Sequence, residues 1–308
     1  MAFTMHSHSG QFCPGHAVDS LEAVVQQAKA LGFRTMGLTE HMPRYDEADL
    51  YPEERADARA SLDVLPVRHE AYLAEARRLQ AKYAASQLSI LIGFEAEFIR
   101  PAFAARVTAL AEDPCVDYFI GSVHHVHGLP IDYNSAFYAD AVKVSGSGEE
   151  SLYEDYYDLQ HQMLSSLSPR VVGHFDLIRL MSADPARDVS RWAGVWEKIR
   201  RNLRLIASQG GWLECNTAAL RKGLAEPYPC RVIAQEWLSI GGKFTMSDDS
   251  HGVAQVATNY ARGVSYLESM GVQDVWTFDR RPLSGPDGQR AVLAEKSVPL
   301  AEFRKLFC

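Results

Sequence analysis

Histidines and carboxylates stand at the ends of seven short apolar runs in this chain of 308 residues. The runs cover residues 2–8, 34–41, 88–98, 116–125, 170–176, 211–221 and 243–251. Eight of the eleven histidines lie at or just past such an end: His6, His8, His41, His124, His125, His127, His174 and His251. Imidazole and carboxylate groups together suit transition metals. Their recurrence at the same end of successive runs predicts a polynuclear metal site.

Spacing within two of the runs sharpens this prediction. His6 and His8 are two residues apart, as are Glu95 and Glu97. In an extended strand such residues point to the same side, so both imidazoles can reach one ion. A carboxylate has two oxygens and can bridge the two cations of a paired site. We therefore expect Glu95 to be a shared ligand, whereas Glu97 has the credible alternative of pairing with an arginine.

The remaining runs supply further ligands. Adjacent strand residues alternate sides, so His124 and His125 cannot both face the site, and His124 is the predicted ligand. Asp249 and His251 share a face, which leaves Asp248 pointing elsewhere. The predicted ligands are His6, His8, His16, His41, Glu95, His124, His174, Asp249 and His251. Nine ligands are too many for one ion and suit two or three ions of Zn, Fe or Mn.

Helix-like segments separate the runs and indicate how the ligands are positioned. They cover residues 20–32, 66–85, 101–113, 152–167, 191–210 and 230–242. This alternation predicts a parallel α/β architecture, with residues 1–308 forming a single domain. An open doubly wound sheet shares the alternation but carries its site at one switch point. Ligands at every strand end therefore favour a closed TIM-like barrel, where those ends converge at one mouth.

Two insertions, residues 42–65 and 128–150, follow runs that end in histidine. Long loops at that position commonly act as lids or specificity elements, so both are expected to overhang the site. Solvated loops without a role are the alternative.

Composition excludes several other classes of protein. The net charge of −8 and the lack of a basic stripe argue against a nucleic-acid partner. No window approaches 18 uncharged apolar residues, so no membrane span is expected. Five cysteines without a CxxC pair indicate reduced thiols and a cytoplasmic protein. The P-loop, dinucleotide and GxSxG motifs are missing from the sequence. The oligomeric state stays open.

The motifs, taken in order, resemble those of the polymerase-and-histidinol-phosphatase family of metal-dependent phosphoesterases. The matching pieces are HSH (6–8), His16, TEH (39–41), GFEAE (93–97), GSVH (121–124), GHFD (173–176) and SDDSH (247–251). The resemblance implies a distorted seven-stranded (β/α) barrel with a trinuclear metal centre. The implied ligands are His6, His8, Glu95 and Asp249 for one ion, Glu95, His124 and His174 for the second, and His16, His41 and His251 for the third.

The family's stand-alone phosphatases share further segments with this chain, at residues 10–17, 121–134, 173–180 and 214–223. The implied activity is hydrolysis of a small phosphate monoester, L-histidinol phosphate, to L-histidinol and phosphate in histidine biosynthesis. One alternative is a phosphoesterase of the same family that acts on nucleotides or nucleic acid. Another is a catalytically silent metal-binding module.

Catalytic and substrate-binding roles are also predicted for individual residues. Glu95, Asp249 and His251 are the predicted catalytic residues. Arg179 and Arg221 are placed to grip the phosphate bidentately, although both could equally be surface arginines. His125 is predicted to face the substrate; a position behind the ligands and simple exposure are the alternatives. The acidic residues Asp46, Glu47 and Asp49 of the first insertion are candidates to bind the substrate's ammonium group.

Overall fold

The computed structural model describes residues 1–281 and 291–308. Its strands are β1 (Ala2–Thr4), β2 (Phe33–Leu38), β3 (Ser89–Glu97), β4 (Tyr118–Ser122), β5 (His125–Val126), β6 (Leu129–Pro130), β7 (Val171–Val172), β8 (Trp212–Asn216), β9 (Phe244–Ser247), β10 (Asp274–Arg281) and β11 (Val292–Pro299). Seven of these pair in parallel in the order β1-β2-β3-β4-β7-β8-β9.

The parallel sheet curls until its two outer strands meet. The amide of Met5 donates to the carbonyl of Met246 at 3.1 Å, and the amide of His8 donates to the carbonyl of Ser250 at 2.7 Å. These bonds join the segments that continue β1 and β9, so the sheet forms a nearly closed barrel. The predicted distorted seven-stranded barrel is thereby confirmed.

Helices cover the outside of the barrel. They are α1 (Leu21–Ala30), α2 (Ala58–Tyr83), α3 (Phe103–Ala111), α4 (Ser135–Ser145), α5 (Glu149–Leu167), α6 (Ala193–Ser208), α7 (Ala218–Arg221), α8 (Arg231–Ser239), α9 (Tyr260–Glu268) and α10 (Leu300–Phe307). Each of the six predicted helical segments is helical in the structure. Their apolar faces pack on the strands, as amphipathic spacing requires.

The start of α2 differs from the prediction. The sequence suggested a start at Pro66, but the helix begins at Ala58, after Asp57, whose side chain accepts a hydrogen bond from the amide of Ala60 at 3.1 Å. Pro66 therefore lies inside the helix, where it cannot donate to the carbonyl of Leu62. Part of the first insertion, residues 58–65, is consequently helical rather than a loop.

An antiparallel hairpin of β10 and β11, which the sequence did not predict, covers the amino-terminal end of the barrel. Phe278 is buried against Trp212 and Tyr118, with ring centroids 4.5 and 5.8 Å apart. These two residues begin β8 and β4. Arg280 adds an ion pair to Asp117 at 2.9 Å. The hairpin closes this end, so the opposite end, where the strands terminate, is left for the site.

None of the helices in the described part of the chain is both long enough and apolar enough to cross a membrane.

Candidate metal centre

The side chains that follow β1 and end β3 meet at the carboxyl-terminal mouth of the barrel. His6 and His8 leave β1, and Glu95 lies near the end of β3. All three side chains are at most 1 % exposed. Parallel strands present their carboxyl ends to one mouth, which explains why residues far apart in sequence converge.

Glu95 lies at the centre of this cluster. Its Oε2 atom is 3.2 Å from Nε2 of His6 and 3.5 Å from Nε2 of His8. Its Oε1 atom is 2.8 Å from Nε2 of His174 and 3.4 Å from Nε2 of His124. Each carboxylate oxygen therefore faces its own group of histidines, an arrangement suited to a carboxylate shared by two cations.

Asp249, in the segment that follows β9, approaches the first of these groups. Its Oδ1 atom is 3.3 Å from Nε2 of His8 and 3.7 Å from Nε2 of His6. Its backbone has a φ of 47°, in the left-handed region that aspartate tolerates better than most residues. Arg221 holds this turn, because its Nη1 and Nη2 atoms donate to the carbonyls of Asp248 and Asp249 at 2.9 and 2.8 Å.

A third group of histidines lies beside the first. The ligand atoms of His8, His41 and His251 are all within 4.8 Å of one another. The ring of His16 lies 4.7 Å from that of His251 and 5.6 Å from that of His41. The structure thus brings all nine predicted ligands to one mouth. In this third group His8 lies with His41 and His251, and His16 makes ring contacts only.

The nitrogen atoms of this cluster fit a metal centre. The Nε2 atoms of His6, His8 and His251 are buried and have no hydrogen-bond partner. A buried polar nitrogen without a partner is costly unless something else satisfies it. Nδ1 of His251 lies 2.9 Å from the carbonyl of Asp249, which assigns the proton to Nδ1 and the lone pair to Nε2. Imidazole lone pairs and carboxylates converging on one space suit divalent Zn, Fe or Mn.

Electrostatics keep the carboxylates charged. Burial alone would raise the pKa of Glu95, but the charge of His6 and the hydrogen bonds with His174 and His41 hold it well below its usual range. The pKa of Asp249 is likewise held well down, chiefly by His6 and His8 against the effect of burial. Ionised carboxylates are the form that binds cations.

Several histidines are kept neutral. Burial lowers the pKa of His124 to about 3. Burial, with the neighbouring His41 and His8, lowers that of His16 to about 4. Neutral imidazole is the metal-binding form, so these two ligands need not lose a proton at neutral pH.

Of the predicted substrate-binding residues, Arg179 is buried and fully engaged by the protein. Its Nε donates to Asp176 at 2.9 Å, and its Nη2 donates to the carbonyls of Glu226 and Pro227 at 2.9 and 2.7 Å. These bonds hold the segment before α8 against β7. Arg221 is partly exposed, and its contacts support the Asp249 turn. His125 turns away from the cluster towards Tyr51, with ring centroids 5.0 Å apart.

Glu214 and Glu40 are two buried carboxylates at the site that the sequence reasoning did not single out. Glu214 contacts Nδ1 of His6 at 2.8 Å. Glu40 accepts from the amide and hydroxyl of Ser9 at 2.8 and 2.6 Å. A signal for Glu214 was present, because it interrupts the apolar run of β8 at a position where a strand inside a barrel should be apolar.

A cavity of about 370 Å³ opens beside His16 and His41. Its walls include Tyr51 and Glu53 from the first insertion and Tyr133 from the second. The rings of Tyr51 and Tyr133 stack with their centroids 6.2 Å apart. Both insertions therefore overhang the site, as the sequence predicted.

The acidic residues predicted to bind the ammonium group lie elsewhere. Asp46 and Asp49 both pair with Arg100 at 2.5 Å. Glu47 is exposed and, like the other two, does not line this cavity. Glu53 does line it, and a hydrogen bond between Glu53 and the Tyr133 hydroxyl raises the pKa of Tyr133. Glu40 and Glu54 line the cavity as well, but Glu54 pairs with Arg44 and Glu40 accepts from Ser9, so Glu53 is the candidate to meet a cation.

Fold and site together define a barrel with a divalent-metal centre at the carboxyl ends of its strands. The sequence profile of the PHP domain matches residues 4–218, and the chain belongs to that family. A Schizosaccharomyces pombe protein named "Probable histidinol-phosphatase" is 40 % identical over 97 % of this chain and 95 % of its own length. Histidinol-phosphatase of Saccharomyces cerevisiae is 31 % identical over 91 % of this chain and 96 % of its own length.

Solved structures show the same fold. A histidinol phosphate phosphatase of Lactococcus lactis, crystallised with Zn, L-histidinol and phosphate, superposes with a TM-score of 0.68. It is 19 % identical, and the match covers 94 % of this chain and 98 % of the other. At this identity the comparison supports the fold.

Proposed function

We propose that this protein hydrolyses L-histidinol phosphate to L-histidinol and phosphate, at a centre that holds two or three ions of Zn, Fe or Mn. The observation that carries the proposal is the position of Glu95, whose two oxygens face separate groups of histidines. The activity named for relatives 40 % and 31 % identical over nearly their whole lengths supports the choice of substrate.

Three sets of residues would hold the ions. His6, His8, Glu95 and Asp249 form the first set, and Glu95, His124 and His174 form the second. His41, His251 and His16 form the third, with His8 close enough to contribute to it. Ions bound there supply positive charge to the phosphate oxygens and lower the pKa of bound water.

The chain's own groups orient the reaction. Glu95 and Asp249 would both face the ion of the first set, and Glu95 would also face the ion of the second. The Nδ1 proton of His251 is assigned to the bond with the Asp249 carbonyl, which leaves Nε2 as a ligand atom rather than a proton donor. Asp249 would likewise serve as a ligand rather than as the proton donor, because its pKa is held well below its usual range.

Replacement of the two arginines by alanine is expected to weaken catalysis in different ways. If both grip the phosphate, losing either should lower kcat/KM by about 10- to 100-fold, the equivalent of roughly 1.5–3 kcal/mol. Arg221→Ala should also lower kcat, because the Asp249 turn loses two hydrogen bonds. Arg179→Ala should in addition lower the Tm, since its guanidinium is buried against Asp176.

Arg221→Lys is the matched control, because lysine keeps the charge but cannot hold two carbonyls with one planar fork. Steady-state kinetics and thermal unfolding of the variants separate the two effects. Unchanged kinetics in both alanine variants would remove these arginines from the phosphate site.

The cavity next to the third set is the proposed site for the alcohol part of the substrate. Tyr51 and Tyr133 offer flat faces to an imidazole ring, and Glu53 offers a carboxylate to an ammonium group. His69 lines the same cavity; it is buried, and neither of its ring nitrogens has a hydrogen-bond partner. Burial lowers its pKa to about 4, so it can exchange hydrogen bonds with an imidazole as a neutral ring.

Glu53→Gln should therefore lower kcat/KM for L-histidinol phosphate by up to about fivefold, which corresponds to roughly 1 kcal/mol, the upper range for an ion pair at an exposed position. Activity on p-nitrophenyl phosphate, which carries no cation, should be unchanged. Glu47→Gln is the control, because Glu47 belongs to the same insertion but does not line the cavity. Equal losses on both substrates would contradict the assignment of Glu53 to the ammonium group.

The proposal is tested against its alternative by assaying the metal-reconstituted protein with L-histidinol phosphate and short oligonucleotides side by side. Hydrolysis of the monoester with no cleavage of the oligonucleotides is the expected result. Preferential cleavage of the oligonucleotides would replace this function with that of a nuclease on the same centre.

A further inference from the structure

We infer that Glu214 is a positioning residue that sets the metal affinity of the whole centre by orienting ligands from three strands at once. The inference rests on the proposed function only in that the centre binds divalent metal. Glu214 lies in the middle of β8 and is completely buried. Its two carboxylate oxygens contact two different ligand residues.

The Oε1 atom of Glu214 fixes His6. It lies 2.8 Å from Nδ1 of His6, which must carry the proton that joins them. In the neutral ring, the form that binds metal, the lone pair is then on Nε2, the atom that faces Glu95 at 3.2 Å. A carboxylate behind a histidine ligand fixes its tautomer and ring orientation and makes it a stronger ligand.

The Oε2 atom of Glu214 holds the backbone of His174 in place. It accepts from the amide of His174 at 2.9 Å, at the point where β7 delivers that ligand to the mouth. Gly173, next to this ligand, packs closely on β4, since a Cβ there would be 2.4 Å from the Ser122 hydroxyl and 2.8 Å from Cγ2 of Ile120. The two ligands held by Glu214 face different oxygens of Glu95.

Asn216 links Glu214 to a third ligand, Asp249, in the segment that follows β9. Its Nδ2 donates to Oε2 of Glu214 at 3.2 Å and lies 3.4 Å from Oδ2 of Asp249. Asn216 is itself fixed, because its Oδ1 accepts from the amide of Ala218 at 2.9 Å. The ligands that follow β1, β7 and β9 are thus all linked by hydrogen bonds to one carboxylate on β8, two of them directly and Asp249 through Asn216.

A role in packing alone does not explain a carboxylate at this place. Burying a charged group is costly unless a cation or several hydrogen bonds compensate. Across residues 1–281 and 291–308, His6 is the only basic side chain that forms an ion pair with Glu214. All the hydrogen-bond donors to its carboxylate lead to metal-ligand residues or to Asn216, as expected of a group that orients a metal centre.

Glu214→Gln tests the inference. Glutamine has one acceptor oxygen, so it can accept from His6 or from the His174 amide but must turn its NH₂ group towards the other donor. The Zn²⁺ dissociation constant of the chelator-stripped protein, measured by competition with a coloured chelator, should rise by about 10- to 100-fold. With Co²⁺ instead, the visible absorption bands should shift, because the orientation of the His6 ring changes.

Asp117→Asn is the matched control, because Asp117 is a buried carboxylate at the opposite end of the barrel, paired with Arg280. It should lower the Tm and leave the Zn²⁺ affinity unchanged. A Glu214→Gln protein that binds Zn²⁺ as tightly as the wild type would overturn the inference. If that variant does not fold, Glu214→Asp decides, because an oxygen drawn back by one methylene cannot reach both donors; wild-type affinity in it would also overturn the inference.

These affinities are measured without substrate. Failure to hydrolyse L-histidinol phosphate would therefore count against the proposed function and leave the inference about Glu214 standing. Unchanged Zn²⁺ affinity in Glu214→Gln would count against the inference and leave the proposed function standing.

Discussion

Glu95→Gln should reduce kcat/KM on L-histidinol phosphate by at least about 10³-fold, the upper range for loss of a single electrostatic contact at a transition state. The amide keeps the size of the side chain but has one weak ligand oxygen in place of two charged ones. Both groups of histidines that face Glu95 would lose their shared partner, so the variant should also bind less metal.

Glu97→Gln is the matched control for this experiment. Glu97 lies two residues further along the same strand, is equally buried, and contacts Arg44 at 3.2 Å and His41 at 2.9 Å. Its loss should cost stability and a smaller part of the activity, since the carboxylate faces one ligand rather than two groups. Near wild-type kcat with full metal occupancy in Glu95→Gln would show that Glu95 is not shared.

Removal of metal should abolish activity and lower the Tm. Without cations, Glu95, Asp249 and Glu214 remain buried close together, with only the surrounding histidines to balance their charge. A metal at about 100 times its Kd stabilises the fold by roughly 2.7 kcal/mol, so reconstituted protein should unfold at a clearly higher temperature. Mn, Zn or Fe should restore turnover, and elemental analysis should find at least two ions per chain.

Magnesium or calcium added at the same concentration is the control for this experiment, because a site built from histidines binds these hard cations poorly. Less than one ion per gently purified chain, with no activity regained on adding Mn, Zn or Fe, would contradict the metal assignment.

The barrel and the positions of the ligands could be predicted because two simple periodicities coincide. Apolar runs that alternate with helical segments define parallel strands, and strand ends in a barrel converge. Pairs such as His6 and His8 needed only the two-residue period of a strand to be assigned to one side. The structure places all nine predicted ligands at one mouth for these reasons.

The directions in which side chains of the insertions point could not be predicted from the sequence. Asp46 and Asp49 are turned aside by Arg100, a residue from another loop, and no local pattern reveals this contact. The start of α2 was misjudged because proline is favoured in a first turn, whereas the cap at Asp57 begins the helix earlier. In the first case a contact with a distant arginine decides the direction of the side chain. In the second, a capping residue decides the start of the helix against the preference of proline for the first turn.

Glu214 was missed for a different reason. A single glutamate in an apolar strand is as consistent with a satisfied core carboxylate as with a group that serves ligands, and sequence cannot separate the two. Only the distances to His6 and the His174 amide do so.

The central claim is most directly tested by measuring phosphate release from a small panel of monoesters with the metal-reconstituted protein. The panel should include L-histidinol phosphate, p-nitrophenyl phosphate, a nucleoside monophosphate and a sugar phosphate. We predict that kcat/KM for L-histidinol phosphate exceeds that for each of the others, and that the preference over p-nitrophenyl phosphate shrinks in Glu53→Gln. A protein with full metal occupancy that releases no phosphate from L-histidinol phosphate, or that prefers another monoester, would contradict it.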